Sequence, residues 1–168
     1  MDNEILFNEL FDMYFDMVYS YFAVCFNRST ADDLSQQAFI NVWKYLKRNA
    51  SFTPDSWKAW IFRIAVNVKN DFLRNSRNQM TAFEFSELQD TELKHPEHEL
   101  VDIISIKGAL DMLPMEDKEL LLLKNYGLSS GEIGKMLNIP ASTVRSRLVT
   151  ARKHFKQALY DCGVVIDG

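Results

Sequence analysis

The stretch LSSGEIGKMLNIPASTVRSRL, residues 128–148, leaves this chain few ways to fold. Ser129 and Glu132 stand at the spacing of a capping box, so a short helix is expected to begin there. Ile133, Met136 and Leu137 would face a core. Gly134 has no side chain to obstruct a neighbouring helix, and Asn138 is one of the few residues besides glycine that tolerates a left-handed turn. Pro140 ends the turn and a second helix follows. Short helix, tight turn, longer helix is the helix-turn-helix layout.

At about 100° per residue the longer helix sorts into two faces. Val144, Leu148, Ala151, Phe155 and Leu159 form an inward stripe. Ser142, Ser146, Val149, Thr150 and Lys153 lie opposite, with Arg145 and Arg147 on the flanks. From Asn138 to Leu159 there are five Lys/Arg and no Asp or Glu. Small polar residues between arginines suit a DNA major groove, where Arg can bind guanine through two hydrogen bonds. A solvated basic helix with no such role is the alternative at this point.

This basic helix belongs to a 168-residue chain of formal net charge −4 and pI near 5.4. The acidity is local. Residues 1–83 sum to 0, residues 84–102 to −6 and residues 103–168 to +2. The acidic stretch, EFSELQDTELKHPEHELVD, holds Pro96 and few large apolar residues, so it reads as a linker between two helical units. Whether it is more than a solvated tether stays open on composition alone.

Three helices are expected before the linker. The first, roughly Glu4 to Phe22, would put Leu6, Leu10, Met13, Met17 and Tyr21 on one face. The second would start at STADD, capped by Ser29 or Thr30 with Asp32 and Asp33 suiting the helix dipole. Leu34, Ala38, Val42 and Leu46 make its inward stripe. The third would be capped by Asp55 or Ser56 and run to about Arg77, with Trp57, Ile61, Ile64, Val68 and Phe72 on its apolar face. On it Arg63, Asn67, Asn70, Arg74 and Arg77 follow steps of 4, 3, 4 and 3, a separate stripe that offers hydrogen bonds and charge together. An anionic partner and a plainly solvated face are both compatible with that stripe.

After the linker a helix is expected over 101–112 and another from Pro114 to Tyr126, stopped by Gly127. The fold class is all-α: two small helical domains, 1–80 and 103–168, joined by a linker at 81–102. No apolar run approaches the roughly 18 residues of a membrane span, and the N-terminus lacks a secretory pattern, so a cytoplasmic protein without membrane insertion is expected. Cys25 and Cys162 lie too far apart for a metal-ligand pair and read as reduced thiols. His95, His98 and His154 have no partners in a metal or nucleophile pattern, and no phosphate-binding glycine loop occurs. No enzyme activity, metal or cofactor is expected. His95 and His98 could together hold a metal, but two solvated histidines is the favoured reading of the pair.

Taken together, these segments resemble bacterial sigma factors of the sigma-70 family, in the extracytoplasmic-function branch. ADDLSQQAFINVWKYL is similar to the family's region 2 core-binding helix. SWKAWIFRIAVNVKNDFLR resembles its promoter-melting and minus-ten-reading helix, and residues 109–152 resemble region 4. The resemblance implies that Asp32, Asp33, Leu34, Gln36 and Phe39 belong to the surface that grips core RNA polymerase. Gln37 departs from the acid usual there. It also implies that Arg63 and Asn67, in the R-I-A-x-N pattern, together with Lys69, Asn70 and Arg74, face the minus-ten element. Phe52 would either wall the pocket for an extruded base or fill a core gap.

In region 4 the resemblance gives Arg145 and Ser146 minus-thirty-five base contacts. Ser142, Thr143 and Arg147 become base or phosphate contacts, Val149 a contact to a thymine methyl, and Arg152 and Lys153 backbone contacts. The linker would act as a phosphate mimic in the polymerase cleft. The implied partners are core RNA polymerase, promoter DNA as duplex and as melted non-template strand, and an anti-sigma factor. A free-standing helix-turn-helix regulator is the other reading, and it leaves the first three helices unused.

Overall fold

A computed structural model describes residues 2–79 and 105–164. The linker at 81–102, the His95/His98 pair and the first residues of the helix expected over 101–112 lie outside the described residues. The chain divides between Gln89 and Asp90 into two compact units, and every regular element among the described residues is helical.

In the first unit α1 (Asn3–Cys25) and α2 (Arg28–Arg48) form a tight helical hairpin. Two residues, Phe26 and Asn27, make the turn. The Asn27 side chain accepts a hydrogen bond from the Thr30 N–H at 2.8 Å and caps α2. This corrects the expected cap at Ser29 or Thr30: α2 starts two to three residues earlier, because Asn27 already has the extended backbone a cap needs. Asp32 and Asp33 therefore lie in the second turn, where the helix dipole has largely faded. At the other end of the hairpin Asn3 Nδ2 donates to the Leu46 carbonyl at 3.1 Å, tying the start of α1 to the end of α2.

The buried face of α1 is Leu10, Val18, Tyr21 and Phe22, while Met13 is exposed. Of the expected stripe Leu10 and Tyr21 are buried and Leu6 and Met17 half-buried, and only Met13 faces solvent. Phe7, Phe11 and Phe15 bring their rings onto Phe39 at 6.3, 5.1 and 5.6 Å between centroids, and Phe7 also meets Trp43 at 5.3 Å. Rings bury more area than a methionine and gain from edge-on packing, so they decide the rotation of a helix that is apolar on several sides. Leu34, Ala38, Val42 and Leu46 of α2 are buried as the periodicity predicts, and Ala31 joins them.

Helix α3 (Trp57–Gln79) begins where Ser56 Oγ accepts from the Ala59 N–H at 3.2 Å, the expected cap. Ile61, Phe62, Ala65, Val66 and Val68 complete the core of the unit. Phe52, in the loop before α3, packs against Tyr45, Trp57 and Trp60 at 4.8, 6.1 and 5.2 Å.

The second unit contains α4 (described over residues 105–111), α5 (Met115–Asn125), α6 (Ser130–Leu137) and α7 (Ala141–Asp161). Helix α5 ends in a Schellman motif: Gly127 has φ 87°, its N–H reaches Lys124 O at 3.0 Å, and Leu128 N–H reaches Leu123 O at 3.3 Å. The same pair of bonds closes α7 through Gly163. Leu120, Leu123, Leu128, Ile133, Met136, Val144, Leu148 and Ala151 form the core on which α7 lies. Its far end packs Ala158 and Leu159 against Ala109 of α4. No described helix is long and apolar enough to cross a membrane.

Candidate nucleic-acid interfaces

The turn that presents α7 is fixed by four residues. Ser129 Oγ accepts from Glu132 N–H at 3.1 Å and Glu132 Oε1 accepts from Ser129 N–H at 2.9 Å, so the capping box is complete. Asn138 ends α6 with φ 57° and ψ 46°, the left-handed conformation its side chain tolerates. A Cβ added to Gly134 would stand 2.5 Å from the Ile139 carbonyl oxygen. The turn therefore passes so close to α6 that only glycine fits. Pro140 starts α7 without a side-chain cap, leaving first-turn N–H groups unclaimed by any side chain.

On α7 the two faces separate as the spacing requires. Val144, Leu148, Ala151 and Leu159 are buried, and Phe155 is half-buried. Ser142, Arg145, Ser146, Arg147, Val149, Arg152 and Lys153 are exposed, and Thr143 is half-buried. Ser146 Oγ donates to the Thr143 carbonyl at 3.1 Å, which keeps the centre of this face low between the arginines. Val149 is 51% exposed, an apolar side chain held in solvent on an otherwise polar face. Among the described residues no carboxylate pairs with Arg145, Arg147, Arg152 or Lys153. His154, beside them, is bonded through Nδ1 to Asp117 of α5 at 2.8 Å.

The first unit presents a second polar surface. Arg63, Asn67, Asn70, Arg74 and Arg77 are all exposed along α3. Arg74 is not free: its Nη2 meets Asp71 Oδ1 at 2.7 Å. Asn70, Leu73, Arg74 and Arg77 line a recess of about 320 Å³. Lys69, expected on this face, is instead 4% exposed. It follows Phe62 by seven residues and Ala65 by four, which puts it on the core side, where a long aliphatic stem can be buried. Phe52 is half-buried and belongs to the four-ring cluster with Tyr45, Trp57 and Trp60.

A third surface lies on α2. Asp32, Asp33 and Gln36 are exposed, whereas Leu34 and Phe39 are buried at 7% and 2%. Leu34 and Phe39 thus lie in the packing beneath the exposed surface, Phe39 against three rings of α1. Ile40, 45% exposed, follows Gln36 by one helical turn and places an apolar side chain in solvent beside these polar groups. Gln37 donates to Asn41 Oδ1 at 2.9 Å along the same helix.

Residues 10–79 match the family model described as Sigma-70 region 2, and residues 103–155 match Sigma-70, region 4. The chain is 31% identical over 159 residues to the ECF RNA polymerase sigma factor SigE of Mycolicibacterium smegmatis, covering 90% of this chain and 61% of that protein. It is 31% identical over 145 residues to the RNA polymerase sigma-H factor of Pseudomonas aeruginosa, covering 77% and 72%. The fold is shared with the sigma factor RpoE of Bartonella quintana, solved in complex with the anti-sigma factor NepR. That match has a TM-score of 0.77 and 19% identity, over 92% of this chain and 96% of that one.

Proposed function

Because the chain belongs to the sigma-70 family of RNA polymerase sigma factors, in its extracytoplasmic-function branch, we propose that it is an alternative promoter-specificity subunit. It binds core RNA polymerase in the cytoplasm, recognises minus-thirty-five and minus-ten elements, and helps open the promoter without catalysing a reaction of its own. The observation that carries this reading is that each unit exposes its own basic, amide- or hydroxyl-bearing helix face, α3 in one and α7 in the other.

In this account α7 enters the major groove. Arg145 and Ser146 read base edges, Ser142, Thr143 and Arg147 contact bases or phosphates, Val149 meets a thymine methyl, and Arg152 and Lys153 hold the backbone. Arg63, Asn67, Asn70 and Arg74 of α3 track the melted non-template strand, whose capture offsets an unpairing cost of a few kcal/mol per base. Asp32, Asp33, Gln36 and Ile40 form the polymerase-facing surface of α2. The second-turn position of the two aspartates supports this, because they do little for their own helix. The linker, at −6, occupies polymerase surfaces that otherwise hold nucleic acid, and an anti-sigma factor holds the protein inactive.

A free-standing helix-turn-helix regulator would leave residues 10–79 without a role. Mixing the purified chain with core polymerase and a promoter fragment separates the two. A sigma factor comigrates with core and directs initiation at a defined start, whereas a regulator binds duplex DNA unaided and does neither.

A further inference from the structure

Helix α3 carries Lys58, Arg63, Lys69, Arg74 and Arg77 but a single acid, Asp71. That acid is on the surface where a negative charge is least expected. At about 100° per residue it lies only about 40° around the helix from Asn67, and its side chain is 66% exposed. A carboxylate there repels any phosphate that approaches the stripe. Its contact explains its presence. Asp71 Oδ1 accepts from Arg74 Nη2 at 2.7 Å, the short distance of a charge-assisted bond, with the acid on the N-terminal side of the arginine, the favourable order along a helix.

We propose that Asp71 is a positioning residue for promoter opening: it holds the Arg74 guanidinium at the recess lined by Asn70, Leu73 and Arg77, ready for the phosphodiester backbone of single-stranded DNA. The inference rests on the assignment of α3 to the minus-ten element. Only one nitrogen of the guanidinium is tethered, and a guanidinium has five N–H donors, so the rest of the fork remains for the strand. An arginine already confined loses less rotamer freedom on binding.

Two opposite effects are thereby set against each other. Bare charge predicts that Asp71→Asn binds a single strand more tightly; positioning predicts that it binds less well. Exposed pairs are individually weak, so the expected loss is about two- to fivefold.

The test uses the full chain assembled with core polymerase. Its probe is a fluorescent non-template oligonucleotide spanning the minus-ten element of a promoter found by start-site mapping, with a scrambled oligonucleotide as control. Asp71→Asn should weaken binding of the minus-ten probe two- to fivefold and the scrambled probe less. In the Arg74→Ala background it should change nothing further, and Asp71→Glu should bind within about twofold of the parent, since the longer acid still reaches at this spacing. Tighter binding by Asp71→Asn, an equal loss in both backgrounds, or an equal loss on both probes overturns the proposal. If Asn67→Ala and Arg74→Ala leave the probe bound as before, the assignment of α3 fails and this inference with it. If they weaken it and Asp71→Asn does not, only the inference fails.

Discussion

Arg145 stands on the exposed flank of α7 with no carboxylate partner among the described residues, so its guanidinium is available for a bidentate contact to a base. Arg145→Ala should cost about 1–3 kcal/mol at the cognate minus-thirty-five site and relax selectivity there. Binding measured across a set of base substitutions checks this, and unchanged selectivity would remove Arg145 from the reading face. Asn67, exposed on α3, belongs to a different step. Asn67→Ala should reduce permanganate-detected promoter opening more than it reduces pull-down by core polymerase, and an equal loss in both would count against its strand-facing role. Which of these residues face solvent was legible from spacing, because one helical stripe leaves its opposite stripe exposed. Spacing already placed Leu34 on the inward stripe. For Lys69 and Phe39 the family motif indicated a role, but a motif does not say which way a side chain points; Lys69 is buried on the core side of α3 and Phe39 packs onto the α1 rings.

The helix-turn-helix depends on two backbone facts. Gly134→Ala forces a methyl into the Ile139 carbonyl, 2.5 Å away, and should destabilise the second unit by about 1–3 kcal/mol. Faster amide hydrogen exchange across α6 and α7 would register it, and exchange unchanged from the parent would show that the turn yields. Asn138→Val, at φ 57°, should cost about 1–2 kcal/mol by the same measurement, while Asn138→Gly should cost nothing. These elements were readable because each special residue answers a local demand. Helix α1 was harder. Apolar residues lie on several of its sides: Leu10 and Tyr21 of the expected stripe are buried, but turning the Phe7, Phe11, Phe15 side inward in place of Met13 depended on Phe39 and Trp43 of α2, which local periodicity does not contain. The start of α2 slipped for a related reason: Asn27, Ser29 and Thr30 are all competent caps, and the two-residue turn after α1 selects Asn27. Asn27→Ala should cost about 1 kcal/mol in a thermal melt of the chain.

For the molecule as a whole, net charge hides the division of labour. The basic segment 103–168 at +2 and the balanced segment 1–83 are outweighed by −6 in residues 84–102. So small an excess implies weak, salt-sensitive DNA binding by the free chain and a dependence on polymerase for a productive grip. Replacing the acids of 84–102 with Ser and Gln should impair initiation while leaving DNA binding by residues 103–168 intact; normal transcription from that variant would reduce the segment to a tether. The most direct test of the central claim is transcription in vitro with core polymerase, the full chain and a fragmented genomic library, followed by start-site mapping. Discrete starts are expected, absent without the chain, each preceded by the same pair of elements and used less, and less selectively, with Arg145→Ala. Promoter fragments bound by the chain alone, with no association with core and no new starts, would contradict it.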